Sequence, residues 1–468
     1  MVFSSIVFLF SFLPSVLLLY FLVPRPAKNI TLLAASLLFY AWGEPVYVFL
    51  MLLSILLNYF CGLEIAGRAE QGESARGIFL FSVAVNLGLL GFFKYAGFLI
   101  RMLDGLLPFP LTVPELDLPV GISFYTFQIL SYIIDVYREK VKVQRNLISF
   151  GLYVTMFPQL IAGPIVRYEE IEGQLKARRV TWEHFGSGSA LFIQGLAKKV
   201  LLANLAGELF DQVGGRPVEE LSVLTAWLGC IAYTFQIYFD FSGYSDMAMG
   251  LGRMFGFRFP KNFDYPYTSR SITEFWRRWH ISLGTWFREY IYIPMGGNRV
   301  SRRKHIRNIL TVWLLTGLWH GASWNFVVWG LYYGGILLAE KFLLQRWLRR
   351  LPGVCQHLYS LFLILIGWVF FFSASLSDAG RYLGAMFGSA GRTAADPEAF
   401  YLLCSNLLLL LLLMLCSTPV VRRCFRKFPE KRGWLKISFQ CSMYGLLLVL
   451  CLSRLVTETY NPFLYFRF

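Results

Sequence analysis

Charge is scarce in this chain: only 15% of its 468 residues are Asp, Glu, Lys or Arg. Its hydrophobic residues make up 56%, and a soluble protein would lack the polar surface to cover them. Acidic residues are scarcer than basic ones, 28 against 44, and the resulting net charge of +16 is dispersed between apolar runs. That dispersal excludes a nucleic-acid footprint and fits loop charges that keep to the cytoplasmic side of a membrane. There are eight cysteines and no CxxC pair, and Cys404, Cys416, Cys441 and Cys451 lie inside apolar runs as small hydrophobes. Neither a disulfide framework nor a metal site is implied. HExxH, GxxxxGK[ST] and GxSxG are absent, so metal hydrolysis and ATP-driven transport have no support.

What the chain does have is long apolar runs. They lie near 2–23, 30–43, 46–63, 78–100, 119–136, 149–166, 187–213, 222–250, 306–320, 324–345, 357–374, 400–418 and 436–456. At roughly 20 residues per span, the expected fold is all-α, a polytopic integral membrane protein with about eleven transmembrane helices plus re-entrant and interfacial ones. The first run lacks a basic n-region and a small-residue cleavage site, so it reads as a span. Pro158, Gly163 and Pro164 interrupt 149–166, and 306–320 is short and ends at a histidine, so these two read as re-entrant or half-spans. Placing the basic loops in the cytoplasm puts both termini and the segment 108–118, with Glu115 and Asp117, outside. No internal repeat is visible, which weighs against an inverted-repeat transporter.

Ionisable groups in apolar runs are costly and therefore candidates for function. They cluster between 238 and 325. Tyr238-Phe-Asp-Phe-Ser-Gly-Tyr-Ser-Asp246 places Asp240 and Asp246 in an apolar helix among hydroxyls, either as a packing network or as catalytic carboxylates. From Ser271 to Tyr290, helical spacing puts Ile272, Phe275, Trp276, Trp279, Leu283, Trp286, Phe287 and Tyr290 on one face of a single amphipathic helix. Ser271 followed by Glu274 marks its start. His280 falls at the edge of the aromatic stripe, as a buried ring bonded to a carbonyl or as a site residue. In Thr316-Gly-Leu-Trp-His320-Gly-Ala-Ser-Trp-Asn325, His320 ends a run that is apolar all round. Gly317, Gly321 and Ala322 beside it would let a substrate chain approach the ring, which makes His320 the leading catalytic candidate.

Asn262-Phe-Asp-Tyr-Pro-Tyr, Ile272-Thr-Glu-Phe-Trp-Arg-Arg-Trp-His280, Met295-Gly-Gly-Asn-Arg and Leu318-Trp-His320-Gly strongly resemble the membrane-bound O-acyltransferase family, closest to its bacterial branch of alginate and peptidoglycan O-acetyltransferase membrane subunits. Gly121-Ile-Ser-Phe-Tyr-Thr-Phe-Gln128, Pro158-Gln-Leu-Ile-Ala-Gly-Pro164, the 238–246 segment and the ending Asn461-Pro-Phe extend the likeness over most of residues 1–340. Between about 351 and 455 only the hydropathy matches. The resemblance implies one acyltransferase domain over 1–468, with its catalytic core at about 119–340 and helices around a central tunnel. It also implies a location in the bacterial inner membrane. His320 carries over as the catalytic histidine and His280 as the second site histidine, where many animal members have Asn. Tyr125, Gln128, Tyr238 and Asp240 are expected along the tunnel, as are Trp279, Trp319, Trp324 and Asn325. A related branch that transfers D-alanine from a carrier protein is not excluded by chemistry.

The expected reaction moves acetyl from cytoplasmic acetyl-CoA, a donor substrate and not a tightly bound cofactor, to a hydroxyl outside. His320 would take the hydroxyl proton. His280, or an indole N–H of Trp279 or Trp319, would give a hydrogen bond to the oxyanion. Arg299, Arg302, Arg303, Lys304 and Arg307 are placed for the donor phosphates, and topology explains them equally well. The chain has little extracytoplasmic mass to grip a polysaccharide, so an extracytoplasmic acetyltransferase partner is expected. The competing class is a glycan or lipid-precursor transporter without acyl transfer.

Overall fold

The computed structural model describes residues 1–104, 106–107, 117–161, 163–426, 433–457 and 464. Glu115 and the Asn461-Pro-Phe ending lie outside the described residues. Every regular element among the described residues is helical, the form in which a chain crossing lipid satisfies its own backbone. Among the described residues six helices are long and apolar enough to cross a membrane: Tyr47–Glu70, Arg76–Asp104, Trp182–Gly214, Trp324–Leu348, Gly353–Phe372 and Ile437–Thr457. A pair bent by 54°, Pro397–Ser405 and Leu407–Cys416, makes a seventh if it counts as one span. Other runs expected to cross are shorter, such as Phe8–Leu22, Lys28–Ala41 and Ile122–Tyr137. The 149–166 run is interrupted at Met156, between Leu147–Thr155 and the single turn Phe157–Leu160.

The chain forms two compact units, Met1–Phe192 with Tyr244–Pro260, and Ile193–Gly243 with Lys261–Phe468. In the first, Tyr47–Glu70 and Arg76–Asp104 are joined by buried amides: Asn86 Nδ2 donates to Asn58 Oδ1 at 2.7 Å, and Ser82 Oγ donates to the same oxygen at 2.7 Å. Such bonds hold helices together where lipid offers no competing partner. Phe8, Phe12, Phe39 and Phe157 of the same unit pack edge-on and tilted around one another.

In the second unit, Arg302–His320 lies against Trp324–Ala339 at two glycines. A Cβ on Gly317 would stand 2.3 Å from the Phe326 carbonyl oxygen, and one on Gly330 would stand 2.3 Å from that of Trp313. A Cβ on Gly321 would meet the Phe326 ring at 2.3 Å. The expectation that Gly317 and Gly321 clear a path for substrate is therefore corrected: Phe326 fills that space, and the glycines serve backbone packing.

The single amphipathic helix expected from Ser271 to Tyr290 is also corrected. Ile272–Arg278 and Ile281–Phe287 are separate helices, and His280 between them has φ +46° and ψ +53°, a left-handed conformation that few residues other than Gly, Asn, Asp and His adopt. A neighbouring stretch of chain satisfies the break. Ile281 N–H donates to the Asn262 carbonyl at 3.0 Å, and Asp264 N–H donates to that of Arg278 at 2.9 Å. The first short helix starts as the sequence indicates, with Glu274 N–H donating to Ser271 Oγ at 3.0 Å. A signal from elsewhere in the chain completes this start. The buried carboxylate of Glu340 accepts Ile272 N–H at 2.7 Å, Thr273 N–H at 2.9 Å and Thr273 Oγ–H at 2.6 Å, placing negative charge at the helix N-terminus.

The broken helix still buries most of its aromatic stripe: Ile272, Phe275, Trp279, Leu283, Trp286, Phe287 and Tyr290 are buried, and Trp276 is half-buried. His280, outside the membrane-crossing helices, is 2% exposed, and this burial pushes its ring down to about 3.

Two measurements follow from this architecture. Gly317→Ala and Gly330→Ala each force a methyl into a carbonyl oxygen. Each is expected to lower the melting temperature of the detergent-solubilised protein, at a cost of roughly 1–3 kcal/mol or more. Gly335→Ala, where nothing lies within 4 Å, should leave it unchanged. Between pH 6.5 and about 3 the unfolded chain protonates a histidine that the folded chain keeps neutral. Stability should thus fall as pH falls, by at most about 1.4 kcal/mol per unit from this ring. His280→Asn, which tolerates the left-handed backbone, should show a shallower fall in melting temperature between pH 7 and 5. An identical fall would show that the ring does not titrate in this way.

Candidate active site

The helix break, the helix that ends at His320 and the end of Gly353–Phe372 together enclose a box of rings. His320, 3% exposed, is the last residue of its helix, and the chain leaves it in extended form at Gly321. Its ring meets Trp319 and Trp329 edge-on with centroids 5.0 Å away in each case, and Phe371 at 5.2 Å. The His280 ring meets Phe241 at 4.7 Å and Trp319 at 5.9 Å. Trp319 therefore touches both histidines, which lie 40 residues apart in sequence. Trp279 stacks among Phe263, Phe275 and Trp368 at 5.1, 5.5 and 5.0 Å, and Tyr238 joins the same cluster 6.2 Å from Trp279.

His280 is oriented by one side chain. Asn262, fully buried, turns its Oδ1 toward Ser282 N–H at 3.2 Å, Ser282 Oγ–H at 2.9 Å and His280 Nδ1 at 3.2 Å. Sequence reading used Asn262 as a motif letter and assigned it no role. The signal present was its place in Asn262-Phe-Asp264, the stretch that satisfies the helix break.

Other expected site residues are placed differently. Asp240 is buried and paired with Lys199, Nζ to Oδ1 2.7 Å, while its other oxygen accepts Leu464 N–H at 2.9 Å. This is the packing-network arrangement of the two read from sequence. Asn325 donates to the carbonyls of Ser373 at 2.8 Å and Phe370 at 3.3 Å and accepts from Ser323 Oγ, which ties two helices together. Trp324 is 52% exposed. Tyr125 and Gln128 are buried in the other compact unit, where the Gln128 carbonyl accepts Tyr153 Oη–H at 3.1 Å.

Arg299, Arg302, Arg303 and Lys304 are exposed at the start of the Arg302–His320 helix, with Arg302 over the Phe342 ring at 4.9 Å. A cleft of about 700 Å3 is lined instead by Arg270, Arg277, Lys341 and Arg349, a volume typical of small-molecule sites. Two carboxylates also line it, and both are engaged: Glu340 in the cap described above, and Glu274 with Arg278 at 2.7 Å and Arg270 N–H at 2.9 Å. Trp313 forms part of the wall. It contacts Trp329 at 6.3 Å, the ring that packs on His320. Sequence reading missed this cleft because Arg277 and Arg349 are far apart in the chain. The cue available was the charged face of the Ser271 helix. Among the described residues no group of three or more His, Cys, Asp or Glu is arranged to hold a metal ion.

Comparison with known proteins identifies the family. The family model described as MBOAT, membrane-bound O-acyltransferase family, matches residues 136–376. The probable alginate O-acetylase AlgI of Azotobacter vinelandii is 44% identical over 400 residues, covering 85% of this chain and 80% of that protein. The peptidoglycan O-acetyltransferase of Helicobacter pylori is 32% identical over 521 residues, covering 100% of this chain and 98% of that protein. The teichoic acid D-alanyltransferase of Bacillus subtilis is 26% identical over 326 residues, 65% of this chain and 78% of that protein. The transporter alternative thus gives way to acyl transfer, and the chain belongs to the membrane-bound O-acyltransferase family.

Proposed function

We propose that the protein moves an acetyl group from cytoplasmic acetyl-CoA to a hydroxyl acceptor outside the inner membrane. The immediate acceptor is an extracytoplasmic acetyltransferase partner, which passes the group to a cell-envelope or secreted polysaccharide such as alginate or peptidoglycan. The observation that carries this reading is the meeting of His280 and His320 on one indole, Trp319, in a box of rings. The acetylated substrates follow from the names of the relatives that match most of the chain.

A thioester is already activated, so the protein has two tasks: removing the hydroxyl proton and stabilising the oxyanion. His320 is assigned the first. The acceptor oxygen bonds to the thioester carbon as its proton passes to an imidazole nitrogen. The C–S bond then breaks, and the sulfur leaves as a thiol after taking that proton back. Only the neutral imidazole, with a lone pair on one ring nitrogen, can accept that proton. The indole N–H of Trp319, in contact with both histidines, is assigned to the oxyanion, a role worth about 10²–10³ in rate per donor. For the donor phosphates the cleft cations Arg270, Arg277, Lys341 and Arg349 are better situated than Arg299, Arg302, Arg303 and Lys304, since they line an open cleft whose wall leads through Trp313 and Trp329 to His320.

The test is reconstitution in liposomes with acetyl-CoA labelled in the acetyl group, with and without the acceptor partner. Wild type is expected to release CoA, and His320→Ala at matched abundance to lose about 10²–10⁴-fold of that rate. Equal turnover by both would remove His320 from the mechanism. Turnover with a carrier-bound D-alanine donor, and none with acetyl-CoA, would move the chain to the D-alanyl branch. In the same assay Arg277→Ala with Lys341→Ala should raise the KM for acetyl-CoA while leaving kcat within a few fold.

A further inference from the structure

We propose that Asn262 is a positioning residue that holds His280 as the neutral tautomer protonated on Nδ1, so that in the transfer His280 accepts a hydrogen bond at Nε2 and cannot give one to the oxyanion. The argument starts from a group whose polarity is known. A backbone N–H only donates, and Ser282 N–H faces Asn262 Oδ1 at 3.2 Å, so the atom turned toward the break is the amide oxygen and not the nitrogen. Ser282 Oγ–H donates to the same atom at 2.9 Å. His280 Nδ1, 3.2 Å from that oxygen, faces a pure acceptor and must carry the proton. A neutral imidazole has only one, so Nε2 keeps its lone pair. The left-handed backbone at His280 fixes the ring in this register, because Asn262 also accepts Ile281 N–H through its own carbonyl. The amide of Asn262 works through its oxygen. Among the described residues its Nδ2 has no hydrogen-bond partner, so none of them competes for the orientation of the amide on that side.

This assignment changes the role expected of His280 from sequence, that of oxyanion donor, and leaves the donor role with an indole. It rests on the acyl-transfer reading for its consequence in turnover, but not for the tautomer itself.

The experiment is a ring-nitrogen NMR spectrum of the full-length protein in detergent, grown on 15N-labelled histidine. The chain has five histidines, and the His280 signals are those missing from His280→Asn. Wild type should show Nδ1 protonated and Nε2 unprotonated. Asn262→Asp keeps an oxygen for all three donors and should keep that pattern, with kcat within about threefold of wild type. Asn262→Ala should shift the ring toward the Nε2-protonated form and lower kcat by roughly ten- to a hundredfold, with KM within about twofold. A role confined to folding would lower the amount of active protein and leave kcat per folded molecule unchanged. If Asn262→Ala does not fold, Asn262→Asp carries the test, and an Nε2-protonated ring there overturns the proposal. So does an Nε2-protonated ring in wild type, or an unchanged tautomer in folded Asn262→Ala. Wild type that turns over no acyl donor overturns the transfer reading instead, while the nitrogen spectrum still decides the role of Asn262.

Discussion

One amide oxygen organises the candidate site. Asn262 Oδ1 collects Ser282 N–H, Ser282 Oγ–H and His280 Nδ1, and the backbone around it supplies partners for the two ends of an interrupted helix. An uninterrupted helix through 271–290 would satisfy its own backbone and put His280 on its flank. Breaking it costs the intrahelical bonds that would cross the break and a left-handed residue, of order 1–3 kcal/mol for the latter. The Asn262–Asp264 stretch repays the bonds, and buried apolar side chains on both short helices hold the geometry. What the break gains is direction: His280 turns out of the helical surface and into the ring cluster that contains Trp319.

The sequence made the two histidines legible as candidates and left their surroundings obscure, for a physical reason. Helical periodicity reports which residues share a face, and most of the aromatic stripe from Ile272 to Tyr290 is buried as its spacing implies. Periodicity does not report a break where both halves keep the same face inward, and nothing local at Trp279-His280 resembles a helix stop. The cause lies 18 residues upstream, in Asn262. The same limitation hid Glu340, which caps the helix at Ile272 from 68 residues away. Gly317 and Gly321 were visible as small residues beside a histidine, but only the partner helix shows that Phe326 occupies the room they leave. Conversely, Asp240 stood open between a packing network and a catalytic role, because a carboxylate in an apolar helix needs a partner. That partner, Lys199, sits in another helix, where no pattern in the sequence links the two.

The close approach at Gly317 and Gly330 matters to the chemistry through what it brings along. With the two helices in backbone contact, Trp329 reaches the His320 ring from the neighbouring helix, and Phe371 closes it from the end of Gly353–Phe372. A helix pair spaced by ordinary side chains would leave the histidine open on one side. The glycines therefore act on the site at a distance, by setting how tightly the rings enclose it.

An apolar enclosure has two effects on an imidazole, and acyl transfer needs both. It disfavours the charged ring, so the base begins in the form that can take a proton. It equally disfavours keeping the proton once taken, which suits a reaction whose leaving group is a thiolate that needs one. Two histidines in the same box need not share the task. His280 has its Nδ1 proton committed to Asn262 and its ring kept neutral by burial. It is well made to accept a hydrogen bond of fixed direction. His320 ends its helix, and its ring is held by the edges and faces of Trp319, Trp329 and Phe371. Packing of that kind fixes where the ring stands relative to the Trp319 indole, the arrangement that one base and one oxyanion donor serving the same carbonyl require.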